Sequence, residues 1–228
     1  MPWRHVQLLD GDGKAGLCFA TCFHYAFLPV HEVYMQAFFQ GTVDNFCAVY
    51  AVLNALQVLF GITVLQARKL FNRTLLAHSA DALEFSRILS HGTDYVSLVD
   101  DMLADVQAHE FPELCVQAPF GPTAPCQQVW EVLRSCARPP LPLISVFRFL
   151  RFMPEQKKPY VDHWTVGHYM DMEGLHFLDC SLESGGLYCL PYSRLTDASH
   201  PLAREYVVIP PESVRILSSS SRVADLPV

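Results

Sequence analysis

The sequence predicts an α+β fold with a helical N-terminal half and an antiparallel sheet in the C-terminal half. Apolar residues recur at helical spacing between residues 44 and 137, whereas short runs with strand periodicity follow residue 143. Glycine and proline residues that favour turns separate those runs. A chain of 228 residues that is 51% hydrophobic and 17% charged is long enough to bury one substantial core, so we expect a single domain.

Two extended runs and a short helical or irregular lead-in are expected before the helices, at residues 5–9, 16–29 and 31–40. Helical spacing then predicts helices at about 44–60, 63–77, 79–110 and 126–137, with Tyr95 to Gln107 as a separate segment of the third. Four prolines predict a loop or linker over 111–126.

Strand periodicity predicts five strands in the C-terminal half, at residues 143–149, 163–169, 175–180, 187–190 and about 205–209. A polar loop is expected at 151–161 and a turn at Glu173-Gly174. Together the elements make one domain over residues 1–217. It comprises a helical lobe at about 31–137 and a sheet lobe at about 143–210, and a flexible tail follows at 218–228.

The charge balance argues against nucleic acid as a partner. The chain has 16 Lys and Arg residues against 23 Asp and Glu residues, a net charge of −7, and its longest basic run is Lys157-Lys158. Phosphate binding requires clustered cations, so no nucleic-acid partner is expected. Several of the eight cysteines lie within apolar runs, which is typical of reduced, buried thiols in a reducing compartment.

The sequence predicts neither a signal peptide nor a membrane span. The N-terminus lacks a basic region followed by an apolar run and a cleavage site. The apolar stretch Cys47–Leu65 has about the length of a membrane helix. It nevertheless contains Asn54, Gln57 and Gly61, which favour a helix in the core of a protein. We therefore expect a cytoplasmic location.

Cys47 stands at the predicted start of the central helix, which makes it the candidate nucleophile. Asp44 or Asn45 can cap that helix by accepting its free N–H groups. A thiol in the first turn lies at the positive end of the helix dipole, which favours the reactive thiolate. The alternative is that Cys47 is a small core residue, as most free cysteines are.

A predicted hairpin supplies the two groups that would activate such a thiol. His163 begins one strand and Asp179 ends the next, so in an antiparallel pair they lie at the same end, within side-chain reach. A carboxylate beside an imidazole fixes the tautomer that a general base requires. His168 and His176 are expected to be structural. The pattern favours a catalytic triad of Cys47, His163 and Asp179.

An oxyanion hole would combine the backbone N–H of Cys47 with a side-chain amide a few residues upstream. Gln40 is the best-placed candidate for that amide, with Gln36 and Asn45 as alternatives. Gln40 could instead be an ordinary capping or loop residue.

Several motifs resemble the papain-like cysteine protease superfamily. Phytochelatin synthases are similar at Phe38-Phe39-Gln40, Phe46-Cys47 and Val52-Leu53-Asn54-Ala55-Leu56, and bacterial effector deamidases at His163-Trp164-Thr165-Val166-Gly167 and Phe177-Leu178-Asp179. The peptidase C39-like branch has a similar pattern. The resemblance covers residues 36–60 and 143–192, with Ala48 in place of the usual glycine after the nucleophile. It implies a papain-like fold, the triad above, no metal and no cofactor.

This resemblance implies a cysteine-dependent hydrolase whose partner is a protein or peptide substrate with a susceptible amide bond. A protein-glutamine deamidase or an acyl or γ-glutamyl transferase would use the same triad. The small acidic domain resembles a bacterial effector delivered into a host cytosol. The alternative to an enzyme is a non-catalytic binding module that retains the fold. A structural zinc protein using Cys18, Cys22 and His24 is less favoured. The pattern predicts no particular oligomeric state.

Overall fold

The computed structural model describes residues 37–40, 45–137, 143–181 and 188–220, and the structural statements below concern those residues. Within them, five α-helices pack on one antiparallel sheet of seven strands. The predicted α+β class is therefore confirmed. Several predicted features lie outside the described residues, namely the extended runs at 5–9 and 16–29 and the residues Cys18, Cys22, His24, Gln36 and Asp44.

The helices are α1 (Cys47–Phe60), α2 (Val64–His78), α3 (Ala82–Leu89), α4 (Val96–His109) and α5 (Cys126–Cys136). The strands are β1 (Leu114–Gln117), β2 (Ile144–Phe152), β3 (Val161–Met170), β4 (Leu175–Leu178), β5 (Tyr188–Leu190), β6 (Tyr206–Val208) and β7 (Arg215–Ser219). Across the sheet the order is β1-β7-β2-β3-β4-β5. The N-terminal part of β2 pairs with β7, and its C-terminal part pairs with β6.

Helix α1 is the central element of the fold. Ten of its 14 residues are buried, as expected for a helix that is apolar on most sides, and it contacts β3, β2 and α4. It ends where Gly61 adopts a left-handed conformation with φ of 66°. The prediction that Asn45 caps this helix is wrong. Phe46 occupies the N-cap position without a side-chain hydrogen bond, and the Asn45 amide donates to the Leu89 carbonyl at 3.0 Å.

The sheet is buried on both faces. Successive side chains of β2 point to opposite sides, so Ile144 and Val146 pack with α1, α2 and α4, whereas Phe147 and Phe149 pack with α5. The result is three layers, with the sheet in the middle. Among the described residues, no helix combines the length and the apolar character needed to cross a bilayer.

Two strands differ from the prediction. β1 forms within the segment 111–126 that was expected to be a loop, and β7 lies between β1 and β2, beyond the expected sheet lobe. The last two serines of β7 pair with β1, so the predicted flexible tail at 218–228 is wrong for them. Their tertiary partners explain the difference. Arg215 of β7 is 5% exposed, and the carboxylate of Asp100 on α4 binds its guanidinium at 2.6 and 2.7 Å, which offsets the cost of burying its charge.

We predict that Gly174→Ala destabilises the fold. Gly174 lies in the turn between β3 and β4 with φ of 154°, and a Cβ there would overlap the backbone of Leu190 and Pro191. Strain and overlap at such a site cost about 3 kcal/mol, so the urea midpoint falls. Gly121→Ala is the matched control, because a Cβ there meets nothing within 4 Å. Equal midpoints for the two variants would contradict this packing.

Candidate active site

Helix α1 begins with Cys47, which is only 2% exposed. A residue in this position lies at the end of the helix where unpaired N–H groups and the helix dipole favour an anion. The imidazole of His163, far along the chain, lies close enough to this thiol for their interaction to raise the pKa of His163. The structure therefore brings the predicted nucleophile and the predicted base close together.

The register of β3 and β4 places Asp179 beside His163. Val166 pairs with Leu178, so the residue after β4 reaches the end of β3 where His163 lies. His163 Nε2 is 3.1 Å from Asp179 Oδ1. The backbone N–H and the hydroxyl of Ser181 both donate to the same carboxylate oxygen at 2.7 Å. These donors hold the carboxylate, which in turn orients the imidazole.

The neighbours of His163 favour the protonated form of its imidazole. Burial lowers the pKa of His163, but hydrogen bonds with Asp179, Cys180 and Cys47 outweigh it and hold the pKa well above its usual value of 6.5. Burial raises the pKa of Asp179, and the hydrogen bond and charge of His163 reverse that effect and lower it. The Asp179 carboxylate therefore favours the imidazolium form of His163, and the interaction with Cys47 acts in the same direction.

The segment 37–40 carries the predicted oxyanion residue Gln40 to the site. Its anchor is Asn54, which is fully buried in α1. The Phe38 N–H donates to Asn54 Oδ1 at 2.7 Å, and Asn54 Nδ2 donates to the Phe38 carbonyl at 3.3 Å. The Gln40 N–H donates to the Cys180 carbonyl at 2.8 Å. Helix α1 and the end of the β3–β4 hairpin thus fix Gln40 jointly.

Cys180 belongs to the site, although the sequence predicts only a buried, reduced thiol there. Its sulfur lies 3.7 Å from His163 Nε2 and 3.5 Å from Gln40 Oε1. Burial raises the pKa of Cys180, and its contact with His163 opposes this only in part. The signal in the sequence is its position directly after Asp179, which is already a site candidate.

An ion pair beside the site balances the local charge. Arg148 Nε and Nη2 lie 2.6 Å from the two carboxylate oxygens of Asp162, and His91 Nε2 lies 3.6 Å from one of them. Burial raises the pKa of Asp162, but these partners outweigh it and lower the pKa to about 2. Arg148 is therefore already paired with a carboxylate.

The other candidate residues that the structure describes have different hydrogen-bond partners or surroundings. The Asn45 amide is bound to a carbonyl of α3, and Gln36 lies outside the described residues. His176 Nε2 contacts Asp171 Oδ2 at 2.9 Å, and burial lowers the pKa of His168. Both histidines therefore have surroundings that differ from those of the base candidate.

Two groups of described residues bring possible metal ligands within 4.8 Å of one another. One is made of His163, Asp179 and Cys180, which the hydrogen bonds above already engage. The other is made of Glu173, His176 and Cys189, and its glutamate is exposed. Either group offers donor types that zinc accepts, and a thiol nucleophile requires neither of them to be metallated.

Comparisons with known proteins return no relative. No protein-family model matches the chain, and neither a curated protein nor a solved structure matches it. Support for a function therefore comes from the side chains of the site.

We predict that Asp179→Asn lowers the pKa of His163. The carboxylate is the partner that most strongly opposes the effect of burial, so its loss lets burial dominate. Because the folded pKa of His163 is raised in the native protein, the imidazolium stabilises the fold at low pH. That contribution is lost as pH rises through the folded pKa, and in the variant the loss occurs at lower pH.

The titration of His163 can be followed by NMR of histidine labelled with nitrogen-15. Asp171→Asn is the matched control, because Asp171 contacts His176 in the same hairpin. An unchanged His163 titration in Asp179→Asn would contradict the assigned electrostatics.

Proposed function

We propose that this protein is a papain-like cysteine hydrolase that acts on an amide bond of a protein or peptide. The observation that carries the proposal is the buried imidazole of His163, which contacts the carboxylate of Asp179 and lies close enough to the Cys47 thiol for their interaction to raise its pKa. Such an arrangement activates a thiol for attack on a carbonyl carbon. The α+β fold and the chain order of the three residues support the papain-like assignment.

Acylation follows from the two nitrogens of the imidazole. Because Asp179 binds Nε2, Nδ1 is the nitrogen that exchanges a proton with Cys47. The thiolate attacks the amide carbonyl carbon, and the carbonyl π electrons move onto oxygen. When this tetrahedral oxyanion collapses, the C–N bond breaks and the imidazolium donates its Nδ1 proton to the leaving amine. The acyl group remains on Cys47 as a thioester.

In hydrolysis of the thioester, His163 first acts as a base, whereas it donated a proton to the leaving group during acylation. Neutral His163 removes a proton from water as the water oxygen attacks the thioester carbon. The second tetrahedral intermediate then releases the carboxylic acid and returns the Cys47 sulfur as a thiolate beside the imidazolium. Asp179 stays ionised throughout and keeps the ring in the orientation that both proton transfers require.

The oxyanion would be stabilised by two donors, the backbone N–H of Cys47 and the side-chain amide of Gln40. As the first residue of α1, Cys47 has an N–H without an acceptor inside the helix. Gln40 is held at the site through Asn54 and Cys180. Removing one donor of this kind typically costs about a hundredfold to a thousandfold in rate.

The same chemistry serves several reactions. Attack on a main-chain amide is proteolysis, and attack on a glutamine side chain is deamidation. An amine that replaces water makes the enzyme a transferase. A non-catalytic binding module would share the fold, but its Cys47 would not be activated. Thiol reactivity and product masses separate these outcomes.

Cys47 is expected to react with iodoacetamide near neutral pH about tenfold or more faster than the other seven cysteines. The reason is its position at the helix start beside the imidazolium of His163. His163→Ala should remove the advantage, whereas His176→Ala, which removes an imidazole from the same hairpin, should retain it. Mass spectrometry of the peptides gives the rate for each cysteine. Uniform, slow labelling would contradict thiol activation.

Treatment of a peptide mixture with the wild-type protein is expected to produce hydrolysis products that Cys47→Ala does not produce, because the variant lacks the attacking sulfur. Mass spectrometry reads new chain termini as proteolysis and conversion of glutamine to glutamate as deamidation. If neither product forms although Cys47 is selectively alkylated, the hydrolase proposal is wrong for peptide substrates.

A further inference from the structure

The side chain of Cys180 lies between two groups that the proposed reaction uses. Its sulfur is 3.5 Å from Gln40 Oε1 and 3.7 Å from His163 Nε2, and the residue is only 1% exposed. It follows Asp179 directly, so the residue that orients the base and the residue beside the candidate oxyanion donor are neighbours in the chain.

Two separate contacts link Gln40 to Cys180. In the first, the Gln40 backbone N–H donates to the Cys180 carbonyl at 2.8 Å, which fixes the main chain. In the second, the Cys180 thiol donates to Gln40 Oε1, which fixes the rotation of the side-chain amide. Because the segment 37–40 is also bound to α1 through Asn54, its last side chain has little freedom left.

The direction of the thiol hydrogen bond follows from its surroundings. Burial keeps Cys180 in the thiol form, so it has one proton to donate. His163 Nε2 also carries a proton and shares it with Asp179, so it does not accept from the thiol. Gln40 Oε1 is the acceptor that remains. An amide that points its oxygen toward Cys180 has its Nε2 as the opposite, donating end.

We propose that Cys180 is a positioning residue, which holds the Gln40 amide so that Nε2 is the end that donates to the oxyanion formed at Cys47. This inference rests on the proposed hydrolase function, because it concerns the transition state of that reaction. A thiol donor suits the position, since it orients the amide without introducing a charge next to His163. Cys180 itself is not a second nucleophile, because burial and its bond to Gln40 keep it protonated.

Two small reagents separate this role from a structural one. With p-nitrophenyl acetate, the Cys47 thiolate attacks the ester carbonyl, an oxyanion forms, and p-nitrophenolate leaves as the C–O bond breaks, giving acetyl-Cys47. With iodoacetamide, the thiolate displaces iodide from a saturated carbon and no oxyanion forms. Only the first reaction depends on Gln40 Nε2. Peptide mass spectrometry measures both rates at Cys47 itself.

Cys180→Ala and Gln40→Ala are each expected to slow acetylation of Cys47 about tenfold or more, and to slow its alkylation by a much smaller factor, which in Cys180→Ala reflects the lost contact with His163. Cys180→Ser is expected to restore most of the acetylation rate, because its hydroxyl can donate to Gln40 Oε1. When Gln40 is already alanine, Cys180→Ala is expected to cause no further decrease in the acetylation rate of Cys47. Cys136→Ala is the matched control, since it truncates another buried cysteine, on α5.

The proposal is overturned if Cys47 is acetylated at the wild-type rate in Cys180→Ala, or if its acetylation and alkylation rates fall by the same factor. It is also overturned if Cys180→Ser does not restore the acetylation rate. Cys180→Val, which fills the space without a donor, replaces the alanine variant if circular dichroism shows that the latter is unfolded. If the protein is not a cysteine hydrolase, the result differs, because Cys47 of the wild-type protein then reacts no faster than the other cysteines with either reagent. That result overturns both proposals.

Discussion

The contact between His163 and Asp179 imposes the main constraint on this structure. A carboxylate that is 5% exposed and an imidazolium beside it lose most of their hydration, which costs several kcal/mol for each ion unless partners replace the water. Those partners are present, because Ser181 donates twice to the carboxylate and the Cys180 sulfur lies 3.7 Å from the ring nitrogen Nε2. The β3–β4 hairpin must therefore hold these partners in fixed positions around the buried ion pair.

The three-layer architecture keeps the elements around the His163–Asp179 pair in fixed positions. Helix α1 is packed on most sides, and the sheet is covered on both faces, so neither the start of α1 nor the register of β3 against β4 can shift without disturbing a core cluster. The segment 37–40 has no regular structure. It is held instead by Asn54, a polar side chain that is fully buried and bonded to the Phe38 backbone.

Local patterns in the sequence predict the elements that carry Cys47, His163 and Asp179. An apolar run interrupted by Gly61 predicts α1, and two short runs on either side of a turn predict the β3–β4 hairpin. Local patterns are less informative for elements whose conformation depends on tertiary packing. β1 is four residues long, and β7 begins with an arginine, so neither shows strand periodicity over enough residues. Asn45 has the chemistry of a helix cap but binds the end of α3 instead.

The amino-acid sequence by itself determined the α+β class, the helix that begins at Cys47 and the proximity of His163 to Asp179, because each follows from periodicity or from turn residues close together in the chain. Only the tertiary structure decided that Cys180 contacts Gln40, that Asn54 anchors the segment before the nucleophile and that Asp100 neutralises a buried arginine in β7. These contacts join residues distant in sequence, and their energy comes from burial and pairing that no local pattern encodes.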